Sequence, residues 1–335
     1  MALRQLGKTN LRISPLILGT WAIGGWMWGG TNEKEALEAV QASIDHGLNT
    51  IDTAPAYGMG YSEHLIGQVI KEQREKVIIA TKCGLRWDGD EDKNYWMQPK
   101  RVSEEISVTR NSKPESIIAE CERSLKRLGT DYIDLYQIHW PDPVVSIEEA
   151  WQAMVTLKEQ GKVRAIGVSN YSLEQLQAAQ AIHPVDSLQP PYSLIRRGIE
   201  QDLLPFCQKN QISVLAYSSL ERGLLTGKVD MKRKFVKGDH RNTKSTFAPE
   251  YRKQILSILD QIRPIAEKHK ATLAEVILHC TFHLPGITAA LVGARNRAQA
   301  IENAKTLQLR LSHDERNFIV NLFATSDLQQ KPEVW

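Results

Sequence analysis

Residues 131–170 read DYIDLYQIHWPDPVVSIEEAWQAMVTLKEQGKVRAIGVSN. Two short β-favouring apolar runs, Ile133–Gln137 and Val163–Val168, enclose an amphipathic stretch, Ile147–Gln160. Strand-length and helix-length patterns in alternation are the unit from which parallel sheets are built. The same alternation extends in both directions. Upstream, Leu16–Gly19, Thr50–Asp52 and Val77–Thr81 read as strands, followed in turn by helical stretches Glu33–His46, Ser62–Ile70 and Pro114–Leu128. Downstream come helix Leu173–Ala181, strand Ser187–Gln189, helix Gln201–Lys209 and strand Val214–Tyr217. Helices Tyr251–His269 and Leu273–His283, strand Ala289–Val292, helix Ala298–Leu307 and a last helix His313–Phe323 complete the pattern.

Eight strands separated by helices point to an α/β fold with a parallel sheet, and eight is the number that closes a (β/α)8 TIM barrel. An open doubly wound sheet is the alternative. Ahead of the first unit, Leu3–Leu6 and Leu11–Ile13 flank a turn at 7–10, the pattern of a β-hairpin placed to plug one end of the barrel. The length of 335 residues would accommodate two domains, but no linker or low-complexity tract divides the chain. The expectation is one barrel domain over 1–335, with extra helices near the C-terminus.

Composition narrows the class. Hydrophobic residues at 42% and charged residues at 24% are ordinary for a globular protein, and a net charge of +3 is too small to argue for nucleic acid or an anionic membrane. Cys83, Cys121, Cys207 and Cys280 form no CxxC pair, which speaks against metal knuckles and for a reducing, cytoplasmic setting. Residues 1–10 have no apolar core of a secretory signal. Residues 13–30 carry no charge, but Ser14, Pro15, Thr20 and five glycines make them a poor spanning helix.

The polar residues at the strand ends suggest the chemistry. Asp52 ends the second strand, and Tyr57 lies in the loop that follows. Lys82 ends the third strand and His139 the fourth. Ser169 and Asn170 end the fifth, Gln189 the sixth and Tyr217 the seventh. In a barrel these ends converge on one face, where active sites are built. Reduction of a carbonyl by hydride requires a proton for the developing alkoxide. A phenol near pKa 10 is a sluggish donor, and a neighbouring cation makes it more acidic. Lys82 can be that cation, Asp52 can hold it, and a neutral His139 can polarise the carbonyl oxygen.

The stretches DTAPAYGMGYSE (52–63), ATK (80–82), DLYQIH (134–139), GKVRAIGVSN (161–170), GLLTGK (223–228) and GAR (293–295), with Gln299, Glu302 and Asn303, resemble the signatures of the aldo-keto reductase family. Residues 19–30, GTWAIGGWMWGG, are similar to its bacterial general-stress branch. The resemblance implies that Asp52, Tyr57, Lys82 and His139 form the catalytic tetrad. It implies a nicotinamide cofactor against Thr20, Trp21 and Asp52, its carboxamide on Ser169, Asn170 and Gln189 and its ring on Tyr217. Ser218, Leu220 and Gly223 would line the pyrophosphate, and Lys228, Arg241, Gly293 and Arg295 would meet phosphates. Gln299, Glu302 and Asn303 would surround the adenosine. The forked guanidinium groups of Arg241 and Arg295 suit a 2′-phosphate, hence NADPH rather than NADH. Ser219 replaces a proline common at this turn in relatives, which is expected to loosen the backbone there.

Other signals are weak. Gly58-Met-Gly60 is half of a dinucleotide fingerprint, with Glu63 where the third glycine belongs. His279 and His283 have helical metal-pair spacing but no adjacent glutamate, so no metal is expected. Trp21, Trp26, Trp28, Trp87, Trp96 and Trp140 fall in loops after strands one, three and four, and all but Trp96 are expected in an aromatic substrate pocket. Arg86, Lys93 and Lys100 would serve anionic substrates or face water. The expected partner is a small carbonyl compound, handled by a monomer. A nucleotide-sensing subunit of the same fold with slow turnover is the rival from another class, and alcohol oxidation is the reverse of the same chemistry.

Overall fold

A computed structural model describes residues 2–87, 106–326 and 328. β1 (Arg4–Gln5) and β2 (Arg12–Ile13) pair as an antiparallel hairpin. β3 (Leu16–Gly19) leads through a short helix α1 (Trp21–Gly24) to α2 (Glu33–Asp45), and β4 (Thr50–Asp52) precedes α3 (Tyr61–Ile70). β5 (Ile78–Cys83) is followed by a small antiparallel pair, β6 (Leu85–Arg86) with β7 (Thr109–Arg110), and by α4 (Pro114–Leu128). Then come β8 (Ile133–Ile138) and α5 (Ile147–Glu159), β9 (Val163–Ser169) and α6 (Leu173–Ile182), β10 (Ser187–Gln189) and α7 (Leu203–Asn210). β11 (Ser213–Ala216) precedes α8 (Pro249–Lys268) and α9 (Leu273–His283), and β12 (Ala289–Gly293) precedes α10 (Arg297–Lys305) and α11 (His313–Ala324).

Eight parallel strands close into a barrel in the order β10-β11-β12-β3-β4-β5-β8-β9, which excludes the open sheet. Strand residues alternate between two apolar layers, as the period of two demands. Leu16, Leu18, Ile51, Ile79, Tyr136 and Ile166 pack outward against the helices. Ile17, Ala80, Leu135, Ala165, Leu215 and Leu291 fill the inside, joined by Leu6 and Ile13 of the hairpin, which thereby plugs the N-terminal end. Two residues further along the strands, the inward positions become polar: Lys82, Gln137 and Ser187 are each 0% exposed. The barrel interior is thus an apolar floor beneath a polar layer that opens at the C-terminal face.

The two stretches without strong periodicity contain structure that the sequence did not announce. The Gly-rich segment after β3 holds α1, stopped by Gly25 in the left-handed region. The long loop after β11 contains 3-10 turns at 221–226, 240–243 and 245–247. Among the described residues, no helix is long and apolar enough to cross a membrane.

Candidate active site

Lys82 organises the polar layer. Its ammonium donates to Asp52 Oδ1 at 2.6 Å, to the Thr53 carbonyl at 2.9 Å and to the Tyr57 hydroxyl oxygen at 3.2 Å. A lysine has three N–H donors, and here each has an acceptor. The phenolic oxygen accepts from Lys82, so the Tyr57 proton remains available toward the cavity. Asp52 Oδ2 accepts from Gln189 Nε2 at 2.7 Å. His139 is fixed by its backbone N–H on the Cys83 carbonyl, 2.9 Å, and its ring stands 5.8 Å from that of Tyr57 at 79°. The Tyr57 backbone is seated against Gly24: a Cβ there would lie 2.5 Å from the Tyr57 carbonyl carbon. Only glycine permits that approach.

Burial and charge set the protonation states. Burial raises the Tyr57 pKa, Lys82 pulls it back, Asp52 raises it, and the net direction is upward from 10. This corrects the expectation of a phenol more acidic than usual: the ammonium offsets only part of the desolvation. For Lys82, burial alone would lower the pKa, but Asp52 and Tyr57 carry it above its ordinary value, so it stays charged. Burial, with Lys82 adding to it, holds His139 well below 6.5. The imidazole is therefore neutral, with one ring N–H to donate.

A cavity of about 910 Å³ opens above this layer, at the upper end of the ~300–1,000 Å³ typical of ligand sites. Tyr57 and His139 line it together with Trp21, Trp26, Trp28 and Trp140, and Trp21 packs near the Tyr57 ring. Thr20 and Asp52 lie at its base, with Ser169, Asn170, Gln189 and Tyr217 beside them. Asn170 bonds the His139 carbonyl through Nδ2, 2.9 Å, and accepts from the Tyr217 hydroxyl at 2.7 Å. Ser218, Leu220, Gly223, Gly293, Gln299 and Asn303 line the cavity as well. The lining also holds Lys228, Arg241, Arg295, Arg222 and Arg233, with the carboxylates Asp52 and Glu302. These residues fit a nicotinamide dinucleotide: hydrogen-bonding groups beside the reactive end, then a cation-rich groove for phosphates.

The cations are already engaged. Arg241 pairs with Asp239 (Nε–Oδ1 2.9 Å, Nη2–Oδ2 2.6 Å) and lies over the Trp28 ring. Arg295 donates to the Gly30 and Trp28 carbonyls, and Lys228 pairs with Glu302. His240, which the sequence did not single out, bonds the Met27 carbonyl through its backbone N–H (2.9 Å) and Nδ1 (2.7 Å). Arg295 and His240 thereby tie the loop after β3 to those after β12 and β11.

Some expectations are redirected. Trp87 is not among the residues lining the cavity; Met27 is. Trp96, Lys93 and Lys100 lie outside the described residues. Arg86 serves neither substrate nor water: it is 5% exposed and donates to Ser116 at 3.0 Å. Ser219 does not leave a loose turn, because its hydroxyl donates to the Ala216 carbonyl at 3.1 Å. Met27 and Arg222 gave no sequence signal beyond their position in strand-end loops. His279 and His283 stack at 4.1 Å, and the His283 Nδ1 meets the His279 carbonyl.

A site at the C-terminal mouth of a parallel barrel, with this donor set and a cation-lined cavity of this volume, defines a nicotinamide-dependent oxidoreductase of the (β/α)8 class. Residues 15–322 match the model of the Aldo/keto reductase family, and the chain belongs to that family as an NAD(P)H-dependent oxidoreductase. It is 42% identical to the aldo-keto reductase YhdN of Bacillus subtilis over 302 residues, covering 89% of this chain and 86% of that protein. It is 36% identical to the NADH-specific methylglyoxal reductase of Escherichia coli over 313 residues, 92% and 94% of the two chains. The solved glycerol dehydrogenase AKR11B4 from Gluconobacter oxydans superposes with a TM-score of 0.86 at 34% identity, covering 100% of this chain and 98% of that one.

Proposed function

We propose that the chain reduces small aldehydes and ketones to alcohols with Tyr57 as the proton donor and NADPH as the preferred cofactor. The single observation that carries the proton-donor role is the saturation of Lys82 by Asp52, Thr53 and Tyr57, which leaves the Tyr57 hydroxyl proton to point at a substrate. The bound cofactor supplies the hydride. Tyr57 gives its proton to the oxygen on which negative charge develops, and the Lys82 ammonium steadies the phenolate left behind. Neutral His139 donates a hydrogen bond to the same oxygen and fixes its position. The tryptophan walls exclude water and favour an apolar or aromatic substrate body.

The surplus of lining cations over carboxylates supports NADPH, since a 2′-phosphate adds negative charge to that end of the groove. Glu302 and Asp239 favour a second reading, NADH, because a carboxylate there suits a free ribose 2′-hydroxyl. Cofactor consumption at 340 nm across a panel of aldehydes, ketones and dicarbonyls, with either cofactor, decides both points. Tyr57→Phe is expected to lose about 10²–10⁴ in kcat while still binding cofactor. Near-normal reduction by that variant would remove the proton-donor role. Tight cofactor binding without wild-type turnover on any substrate would favour the sensing-subunit reading.

A further inference from the structure

The second oxygen of Asp52 has two amide neighbours. Gln189 Nε2 stands 2.7 Å from Oδ2, and Gln137 Nε2 approaches the same oxygen from β8 at 3.5 Å. The family resemblance assigns Gln189 to the cofactor and leaves Gln137 without a role. Gln137 is completely buried, and its register explains its aim. It is the direct cross-strand partner of Lys82 on β5 and of Gly167 on β9, and Gly167 is in turn the partner of Ser187 on β10. Partners in register project from the same face of a sheet. Lys82, Gln137 and Ser187 therefore share one row inside the barrel, level with the tetrad.

Gly167 makes the row possible. A Cβ there would run into the Ser187 hydroxyl and come within 3.3 Å of the Gln137 side chain. Because the position is bare, Ser187 reaches across it and donates to Gln137 Oε1 at 3.3 Å. That bond takes up the acceptor end of the amide and turns its N–H₂ toward Asp52. We infer that Gln137, braced by Ser187 across the gap at Gly167, is a positioning residue that orients the Asp52 carboxylate toward Lys82. The groups facing Asp52 are then Lys82 from β5, Tyr57 from the loop after β4, Gln137 from β8 and Gln189 from β10, with His139 beyond Lys82. Gln137 differs from Gln189 in not lining the cavity, so its hold on Asp52 does not compete with a bound cofactor.

The link to catalysis rests on the proposed function; the link to Asp52 does not, and the test separates them. In cofactor-free enzyme labelled with ¹³C at aspartate carboxyls, the Asp52 signal is assigned by its loss in Asp52→Asn. Gln137→Met removes a donor and should move the Asp52 titration upward by about one pH unit, the equivalent of a tenfold change in proton affinity. Gln137→Glu places two buried carboxyls together, and they should titrate in two separated steps. Ser187→Ala, the mildest change, should move Asp52 in the same direction as Gln137→Met but less. It also serves if a Gln137 variant fails to fold. In turnover assays with saturating cofactor, Gln137→Met should lower kcat about three- to tenfold and shift its pH profile, with cofactor Kd unchanged. An Asp52 titration that stays in place in the folded variants overturns the inference. A titration that moves, in a protein whose wild type reduces no carbonyl, overturns the proposed function and leaves the inference standing.

Discussion

Lys82→Met is the perturbation whose magnitude the structure sets most directly. The substitution keeps the length of the chain in a fully buried position and removes the three bonds of the ammonium. With the charge 3.2 Å from the phenolic oxygen, the attraction for a phenolate is about 5 kcal/mol at an effective dielectric of 20. If about half the charge has developed in the transition state, roughly 2.5 kcal/mol is lost, a fall in kcat of about 70-fold. The same change strands Asp52, which is 2% exposed, and removing one partner of a buried pair costs about 3–5 kcal/mol of stability. The double variant Lys82→Met/Asp52→Asn removes the stranded charge. It should regain most of that stability and none of the turnover. Urea unfolding gives the first quantity, and steady-state carbonyl reduction with saturating cofactor gives the second. Retention of kcat within about threefold in folded Lys82→Met, or recovery of activity in the double variant, refutes the charge argument.

Three further outcomes follow from other parts of the molecule. Arg241→Ala should raise KM for NADPH far more than for NADH, and equal effects on both would take the 2′-phosphate away from Arg241. Gly24→Ala pushes a methyl against the backbone of Tyr57 and Gly58, so stability should fall by about 1–3 kcal/mol and kcat of the folded variant by more than about tenfold; unchanged turnover and melting temperature would show that the Tyr57 loop yields. Glu120 is buried behind β5, where it accepts from the Gly84 N–H, and burial pushes its carboxyl up to about 8. Between the unfolded value near 4.5 and 8, the native state holds a proton that the unfolded state has released, so stability falls as pH rises through that window. Glu120→Gln removes this dependence. Its unfolding free energy relative to wild type should therefore climb from pH 5 to pH 8, by up to about 1.4 kcal/mol per pH unit, and a pH-independent difference in urea unfolding would contradict the burial argument.

Much of the site was legible before any coordinates. A buried strand is a largely apolar run, so polar residues at its C-terminal end stand out. Asp52, Lys82, His139, Ser169 and Gln189 were all found that way, and their convergence followed from the closed barrel. Strand and helix limits came within a few residues, because the hydrophobic period is local. The loops were less legible. The placement of Arg241 over the Trp28 ring and the lock between His240 and Met27 join segments more than 200 residues apart. Arg86 looked like a mouth residue and is instead buried against Ser116.

The sequence by itself determined the alternation of strands and helices, and hence which residues stand at the mouth of the barrel. That information is periodic and local, and each run carries its own share. Only the tertiary structure decided the state of those residues. It showed that the three donors of Lys82 are all engaged, that burial outweighs the ammonium at Tyr57, and that the missing side chain at Gly167 lets Ser187 meet Gln137. Distances of a few ångströms between distant strands, and the loss of water around them, fix proton affinities, and no linear pattern of residues encodes either.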